Sequence, residues 1–258
     1  MKITFIGTGS GKASLNRNHT SLLLTSGEYI LLVDAGDGIS HALMNSRINF
    51  ETINGILFSH LHPDHFSGLP ALIVQMKMMN RNKPLDIFIH ESLKAVVEEF
   101  LLRSYLLPKR MEFEIHYKTF ADDERFIITE EFSFLARKNS HLGNLEKFKD
   151  KYPSLSLYSA SFLFEAWNKK VIYTSDVGSE DDLLLFREYV PDIFISEATH
   201  ISPLAIINKI IIINPCKKVY LTHYSDEDIP AISEILANLP SDLKEKVKLA
   251  IDDLSLEI

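Results

Sequence analysis

The sequence has 258 residues, 46% of them hydrophobic, with 27 Lys and Arg against 35 Asp and Glu for a formal net charge of −8. This apolar content supports one large core or two closely packed halves and argues against disorder, while the acidic balance argues against coating nucleic acid through bulk charge, although a local basic patch or metal ions can overcome an acidic average. The single cysteine, Cys216, excludes a disulfide framework and a thiolate metal cluster, so any metal must be held by nitrogen and oxygen ligands.

In chain order, Met1 to about Val33 reads as β-rich, with Ser21–Leu24 and Tyr29–Val33 as the apolar runs. Gly38–Asn45 has helical spacing, Gly55–Phe58 is a short buried strand, and Phe66–Asn80 fits a helix with a Met-rich apolar face. Asp86–Ile89 predicts a strand and Ser92–Ser104 a helix. Met111–Arg137 predicts a series of strands broken by the turn Ala121-Asp122-Asp123. Leu155–Phe164 and Lys170–Thr174 form an expected strand pair joined at Trp167-Asn168-Lys169, followed by a helix over Asp181–Tyr189. Ile193–Ser196 and Lys218–Thr222 are short apolar strands; Pro203–Asn214 and Ile229–Leu239 fit helices with proline in the first turn. Cys216 is expected to be a small core residue.

No apolar run reaches the about 20 residues a membrane span needs, and the first residues enter a strand without a long apolar segment or a small-residue cleavage site. A cytoplasmic protein with no membrane partner is therefore expected. No linker, low-complexity tract or fixed-period repeat is evident, so residues 1–258 are expected to form a single domain, with helices covering the outer faces of two packed sheets.

The chemistry concentrates at His60-Leu61-His62-Pro63-Asp64-His65, where three imidazoles and a carboxylate follow a buried strand and precede a helix. Neutral imidazole and carboxylate suit zinc, or manganese and iron where oxygen donors count for more. One turn cannot complete two coordination spheres, so later strand ends must supply more. His141, Asp176 and His223 are the candidates, and Asp176 and His223 each follow an apolar strand directly.

These motifs resemble the metallo-β-lactamase superfamily, and within it the ribonuclease Z-like branch, over essentially the whole chain. Phe5-Ile6-Gly7-Thr8-Gly9-Ser10-Gly11 and Asn16-Arg17-Asn18-His19-Thr20-Ser21 are similar to the branch's opening, Val33-Asp34-Ala35-Gly36 to the first superfamily motif, and His60–His65 to the second. His141, Asp176 and His223 match the third, fourth and fifth, and Ser196-Glu197-Ala198-Thr199 is similar to the branch's His-Glu-Ala-Thr segment. The resemblance implies an α/β, four-layer αβ/βα sandwich, with two mixed β-sheets face to face and helices on both outer faces. It implies two divalent metal ions, zinc first with Mn or Fe as alternatives. His60, His62 and His141 would bind one, Asp64, His65 and His223 the other, and Asp176 would bridge them. The pair would activate a bridging hydroxide at a phosphoryl centre, to which Asp64 contributes. Asp34 would support the ligands without binding metal.

His200 resembles the histidine near the scissile phosphate in that branch and is the candidate general acid, with Glu197 either orienting it or capping a strand end. His41, His90 and His116 lie outside the motifs and read as surface or helix-end residues; His19 is a candidate for the pocket lining. The glycines of Gly7–Gly11 read as a tight turn rather than a nucleotide cradle.

The sequence lacks the Gly/Pro-rich arm that tRNA-processing members carry between the third and fourth motifs. The interval from His141 to Asp176 instead holds Lys147, Lys149, Lys151 and Tyr152. A small phosphodiester, such as a cyclic nucleotide or a related ester, is therefore the expected substrate. An endoribonuclease binding RNA through a basic surface is the alternative, followed by a carboxylic ester, lactone or thioester hydrolase and then a non-enzymatic metal-binding module. A homodimer is the family expectation.

Overall fold

The computed structural model describes residues 1–213 and 215–258. Strands β1 (Lys2–Gly7), β2 (Ser21–Ser26), β3 (Tyr29–Val33), β4 (Gly55–Leu57), β5 (Leu85–His90) and β6 (Ile115–Phe120) lie in one sheet, closed at its edge by β14 (Ser255–Glu257) in the order β14-β1-β2-β3-β4-β5-β6. A second sheet has the order β13-β12-β11-β10-β9-β8-β7, from β7 (Arg125–Ile127), β8 (Phe132–Lys138), β9 (Ala160–Ala166), β10 (Lys169–Tyr173), β11 (Ile193–Glu197), β12 (Lys218–Thr222) and β13 (Val247–Leu249). Both sheets are mixed, and both follow one scheme. Hairpins pair β2 with β3 and β9 with β10 antiparallel, after which β3 to β6 and β10 to β13 run parallel. Parallel neighbours need crossovers, which are supplied by α1 (Ile39–Asn45), α2 (Pro63–Phe66), α3 (Leu69–Met78) and α4 (Lys94–Arg103) for the first sheet and, for the second, by a 3-10 segment at Glu180–Leu184 between β10 and β11 and then by α5 (Pro203–Ile213), α6 (Ile229–Ala237) and α7 (Ser241–Lys246).

The period-two alternation of strand side chains builds the layers. In the second sheet Phe134, Phe162, Phe164, Tyr173 and Ile195 join the core shared with the first sheet. The intervening Leu135, Leu163, Ile172, Phe194 and Val219 pack instead with Ile206, Ile207 and Ile210 of α5 and Ile232 of α6. Aromatic edges lock the two sheets together: Phe88 of β5 meets Phe134 of β8 at 6.0 Å and 90°, and Phe120 meets Phe134 at 5.2 Å and 86°. The result is the expected αβ/βα sandwich. Cys216 is buried, and its thiol is pushed up to about 11 by burial.

Several expectations need correction. The helix expected over Phe66–Asn80 is two helices, and the first begins inside the ligand run with Pro63 in its first turn. The break comes at Gly68, whose N–H donates to Ala35 of the neighbouring loop rather than up the helix. No α-helix spans Asp181–Tyr189: Glu180–Leu184 is a 3-10 turn, and the Arg137 guanidinium takes the Leu185 carbonyl that a continuing helix would use. The turn at 121–123 carries the chain from the first sheet to the second, so β6 and β7 are not partners. The strand expected from Leu155 starts only at Ala160, and α7, β13 and β14 were not anticipated. Asn214, the expected end of α5, lies outside the described residues. Among the described residues no helix is long and apolar enough to cross a membrane.

Candidate metal centre

The candidate residues sit beyond the C-terminal ends of strands, the side of an open sheet where ligands collect. Asp34 follows β3, His60 follows β4, His141 follows β8, Asp176 follows β10 and His223 follows β12, while Glu197 ends β11. Because the two sheets face each other, these ends meet. The ligand atoms of His60, His62, His141 and Asp176 lie within 4.8 Å of one another, as do those of Asp64, His65, Asp176 and His223. Asp176 belongs to both groups. Its Oδ2 is 3.6 Å from His141 Nε2 and 3.9 Å from His60 Nε2; its Oδ1 is 3.2 Å from His65 Nε2 and 3.3 Å from His223 Nε2. Asp64 Oδ2 closes the second group, 3.5 Å from His65 Nε2 and 3.3 Å from His223 Nε2. His60, His65, Asp176 and His223 are buried, whereas His62, Asp64 and His141 are partly exposed, so the cluster opens to one side.

Buried polar atoms ordinarily find a partner, and exceptions call for an explanation. Here His60 Nε2, His65 Nε2, Asp176 Oδ1 and His223 Nδ1 are all buried without a hydrogen-bond partner. The ring nitrogens His62 Nδ1 and His141 Nε2 face each other at 3.1 Å, which at most one proton can bridge. Burial holds His60 well below the usual histidine range and pushes His141 down to about 4, so both rings are neutral donors. Burial would raise Asp176, but His223, His65 and His60 hold it well below the usual carboxylate range. Burial would likewise lower His65, yet Asp176 and Asp34 raise it, marking a position where positive charge is favoured. Imidazoles gathered around an anionic carboxylate, with the unpartnered His60 Nε2 and His65 Nε2 turned toward Asp176, fit divalent cations.

Two further carboxylates hold the loops. Asp34, fully buried, accepts from Ser59 N, Ser59 Oγ and His65 Nδ1, each at 2.8 Å. Asp182 accepts from Ser140 N at 3.0 Å, Ser140 Oγ at 2.7 Å, Gly178 N at 2.8 Å and Ser179 N at 3.1 Å, tying the His141 loop to the Asp176 loop. Asn139 Nδ2 adds a bond to the Asp176 carbonyl at 2.9 Å. Gly178 makes this approach sterically permissible, since a Cβ there would lie 2.3 Å from Ser140 O. Sequence reasoning missed Asp182 and Asn139. The only signal was a capping box from Ser179 to Asp182, which reads as an ordinary helix start.

His200 lies beside both groups, its ring 4.9 Å from that of His141 and 5.9 Å from that of His223. Its Nδ1 is 3.2 Å from Glu197 Oε1, and this buried carboxylate also accepts from Thr199 N at 2.7 Å and His200 N at 2.9 Å. The hydrogen bond to Glu197 raises His200 against the lowering by burial. Glu197 thus both ends its strand and holds a hydrogen bond with the His200 ring. Outside the cluster, His19 bonds Ser10 O at 2.8 Å, His41 is exposed on α1, His90 stacks on Tyr158 at 3.6 Å, and His116 on the outer strand β6 pairs with Glu114 at 2.9 Å.

A family model described as anti-Pycsar protein Apyc1 matches residues 1–235. Ribonuclease Z of Methanocaldococcus jannaschii is 37% identical over 101 residues, which is 39% of this chain and 32% of that enzyme. The chain spans between about a third and a half of the length of the curated relatives of this kind, 32% to 47%. Among solved structures, the short form of human tRNase Z superposes with a TM-score of 0.72 at 21% identity, covering 100% of this chain and 99% of that one. The metallo-β-lactamase fold protein YhfI of Bacillus subtilis gives a TM-score of 0.74 at 21% identity, covering 99% and 98%.

Proposed function

Since the chain belongs to the anti-Pycsar protein Apyc1 family and carries the ribonuclease Z-like form of the metallo-β-lactamase fold, we propose that it is a dinuclear metal-dependent phosphodiesterase acting on small phosphodiesters, a cyclic nucleotide or related ester, with residues 1–258 as one domain. His60, His62 and His141 hold one divalent ion and Asp64, His65 and His223 the other, zinc first, with Asp176 shared. The carrying observation is the pair of four-residue groups meeting at Asp176, with unpartnered nitrogens turned inward. Such ions would supply Lewis-acid polarisation of a phosphoryl oxygen and an activated nucleophile at neutral pH.

The chain's own residues do the rest. Burial keeps the His60 and His141 rings neutral, so they are available as donors. Asp34 and Asp182 fix the ligand-bearing loops before substrate arrives, which spares reorganisation during reaction. His200, with Nδ1 held by Glu197, keeps Nε2 for a proton that goes to the departing alkoxide.

A second reading, RNA as substrate, draws on the ribonuclease Z relatives and on Lys147, Lys149 and Lys151, all exposed on the loop between His141 and Asp176. The deciding experiment is a substrate panel at defined zinc and manganese loading, covering model phosphodiesters, cyclic nucleotides, short RNA, lactones and thioesters. Hydrolysis of the small phosphodiesters with close to two bound metal equivalents is expected. Activity confined to lactones or thioesters, or less than one equivalent after reconstitution, would overturn the proposal. RNA cleavage with affinity falling steeply with salt would favour the second reading.

A further inference from the structure

Ser59 sits between the supporting carboxylate and a ligand ring, and proton bookkeeping restricts what it can do there. Its Oγ is 2.8 Å from Asp34 Oδ2 and 3.0 Å from His60 Nδ1, and the residue is fully buried. A hydroxyl has one hydrogen and lone pairs for accepting, whereas a carboxylate only accepts. Pointing that hydrogen at His60 would leave two oxygens facing each other at 2.8 Å without a proton between them. The hydrogen therefore goes to Asp34, and the remaining contact is satisfied only if His60 Nδ1 carries a proton and donates it to Ser59 Oγ. Nε2 is then the unprotonated nitrogen, and it is the one that lies buried, unpartnered and 3.9 Å from Asp176. His65 Nδ1 donates to the same Asp34 Oδ2 at 2.8 Å, leaving its Nε2 turned to Asp176 and Asp64.

We propose that Ser59 is a positioning residue that relays Asp34 to His60 and fixes that ring as the Nδ1–H tautomer, so that one buried carboxylate presets a ring in each of the two ligand groups. The consequence for metal affinity rests on the dinuclear reading above; the tautomer does not. Partners of this kind behind metal-binding histidines typically contribute about 10–100-fold in metal affinity or activity. Apolar packing alone does not account for serine here, because an alanine would keep the Cβ contacts but lack the hydroxyl that donates to Asp34 and accepts from His60.

The test uses 15N-labelled, metal-free full chain at neutral pH. Histidine 15N shifts should show His60 with a protonated Nδ1 and a bare Nε2 in the wild-type protein. In Ser59→Ala the ring should populate both tautomers, and in Ser59→Thr the wild-type pattern should return. Zinc titration against a competing chelator should show ~10–100-fold weaker binding in Ser59→Ala and near wild-type binding in Ser59→Thr. A protonated Nε2 in the wild-type protein would overturn the proposal without any variant having to fold. An unchanged tautomer in Ser59→Ala, or equal zinc affinities for the alanine and threonine variants, would do the same. Because the shifts are read without metal, they decide the role of Ser59 even if zinc fails to bind, an outcome that would instead overturn the dinuclear assignment.

Discussion

The first sheet delivers four candidate ligands on the single turn His60–His65, whereas the second delivers three one at a time, from the ends of β8, β10 and β12. Their supports differ in the same way. Asp34 touches a ligand ring directly and another through Ser59, while Asp182 touches no ligand side chain and instead gathers the backbones of the Ser140 and Gly178 loops. A dense local motif needs its rings oriented; scattered ligands need their loops held. Both sheets nonetheless turn at the strand end with left-handed residues other than glycine: Asp34 at φ 63°, Ser175 at φ 52° and His223 at φ 51°. Such conformations are uncommon and persist where the surroundings fix them, typically at functional sites.

Substitutions across this divide should fall in a definite order. Asp176→Ala removes the one ligand both groups share and should lower phosphodiester turnover by more than ~10^3-fold, beyond the range for a single electrostatic donor, with metal analysis showing loss at both sites. His200→Ala should cost about 10²–10⁴-fold in turnover, the range for a general acid, while metal content stays at the wild-type level. Metal loss in that variant would place His200 among the ligands. Asp34→Ala and Asp182→Ala should each weaken metal binding, within about 10–100-fold, Asp34 nearer the upper end because it contacts one ring itself and a second through Ser59. If zinc titration shows Asp182→Ala to be the worse variant, backbone placement outweighs ring orientation and the contrast between the sheets is reversed. His90→Ala and His116→Ala should change turnover and stability little, within about 0.5 kcal/mol in stability. A large loss of activity at either would move the centre toward the β5–β6 edge.

The local ligand run was legible because its chemistry is contiguous: imidazoles and a carboxylate on one short turn have few other uses. Asp176 and His223 were legible one step less directly, as polar residues terminating apolar strands. Asp182 and Asn139 were not, because each acts through backbone groups of a segment distant in sequence, Asp182 from 42 residues beyond Ser140 and Asn139 from 37 before Asp176. The expected helix over Asp181–Tyr189 failed for a related reason, since Arg137, on a neighbouring strand, claims its carbonyl.

By itself the amino-acid sequence pointed to two packed sheets covered by helices and to the candidate His and Asp residues at strand ends, since alternation, strand length and donor type are local properties. Tertiary structure decided which strands share a sheet on either side of residues 121–123, that Asp176 faces both groups, and which buried carboxylates hold them in place. Those outcomes depend on packing two sheets face to face, where distances between residues remote in the chain are set by side chains filling the space between the layers.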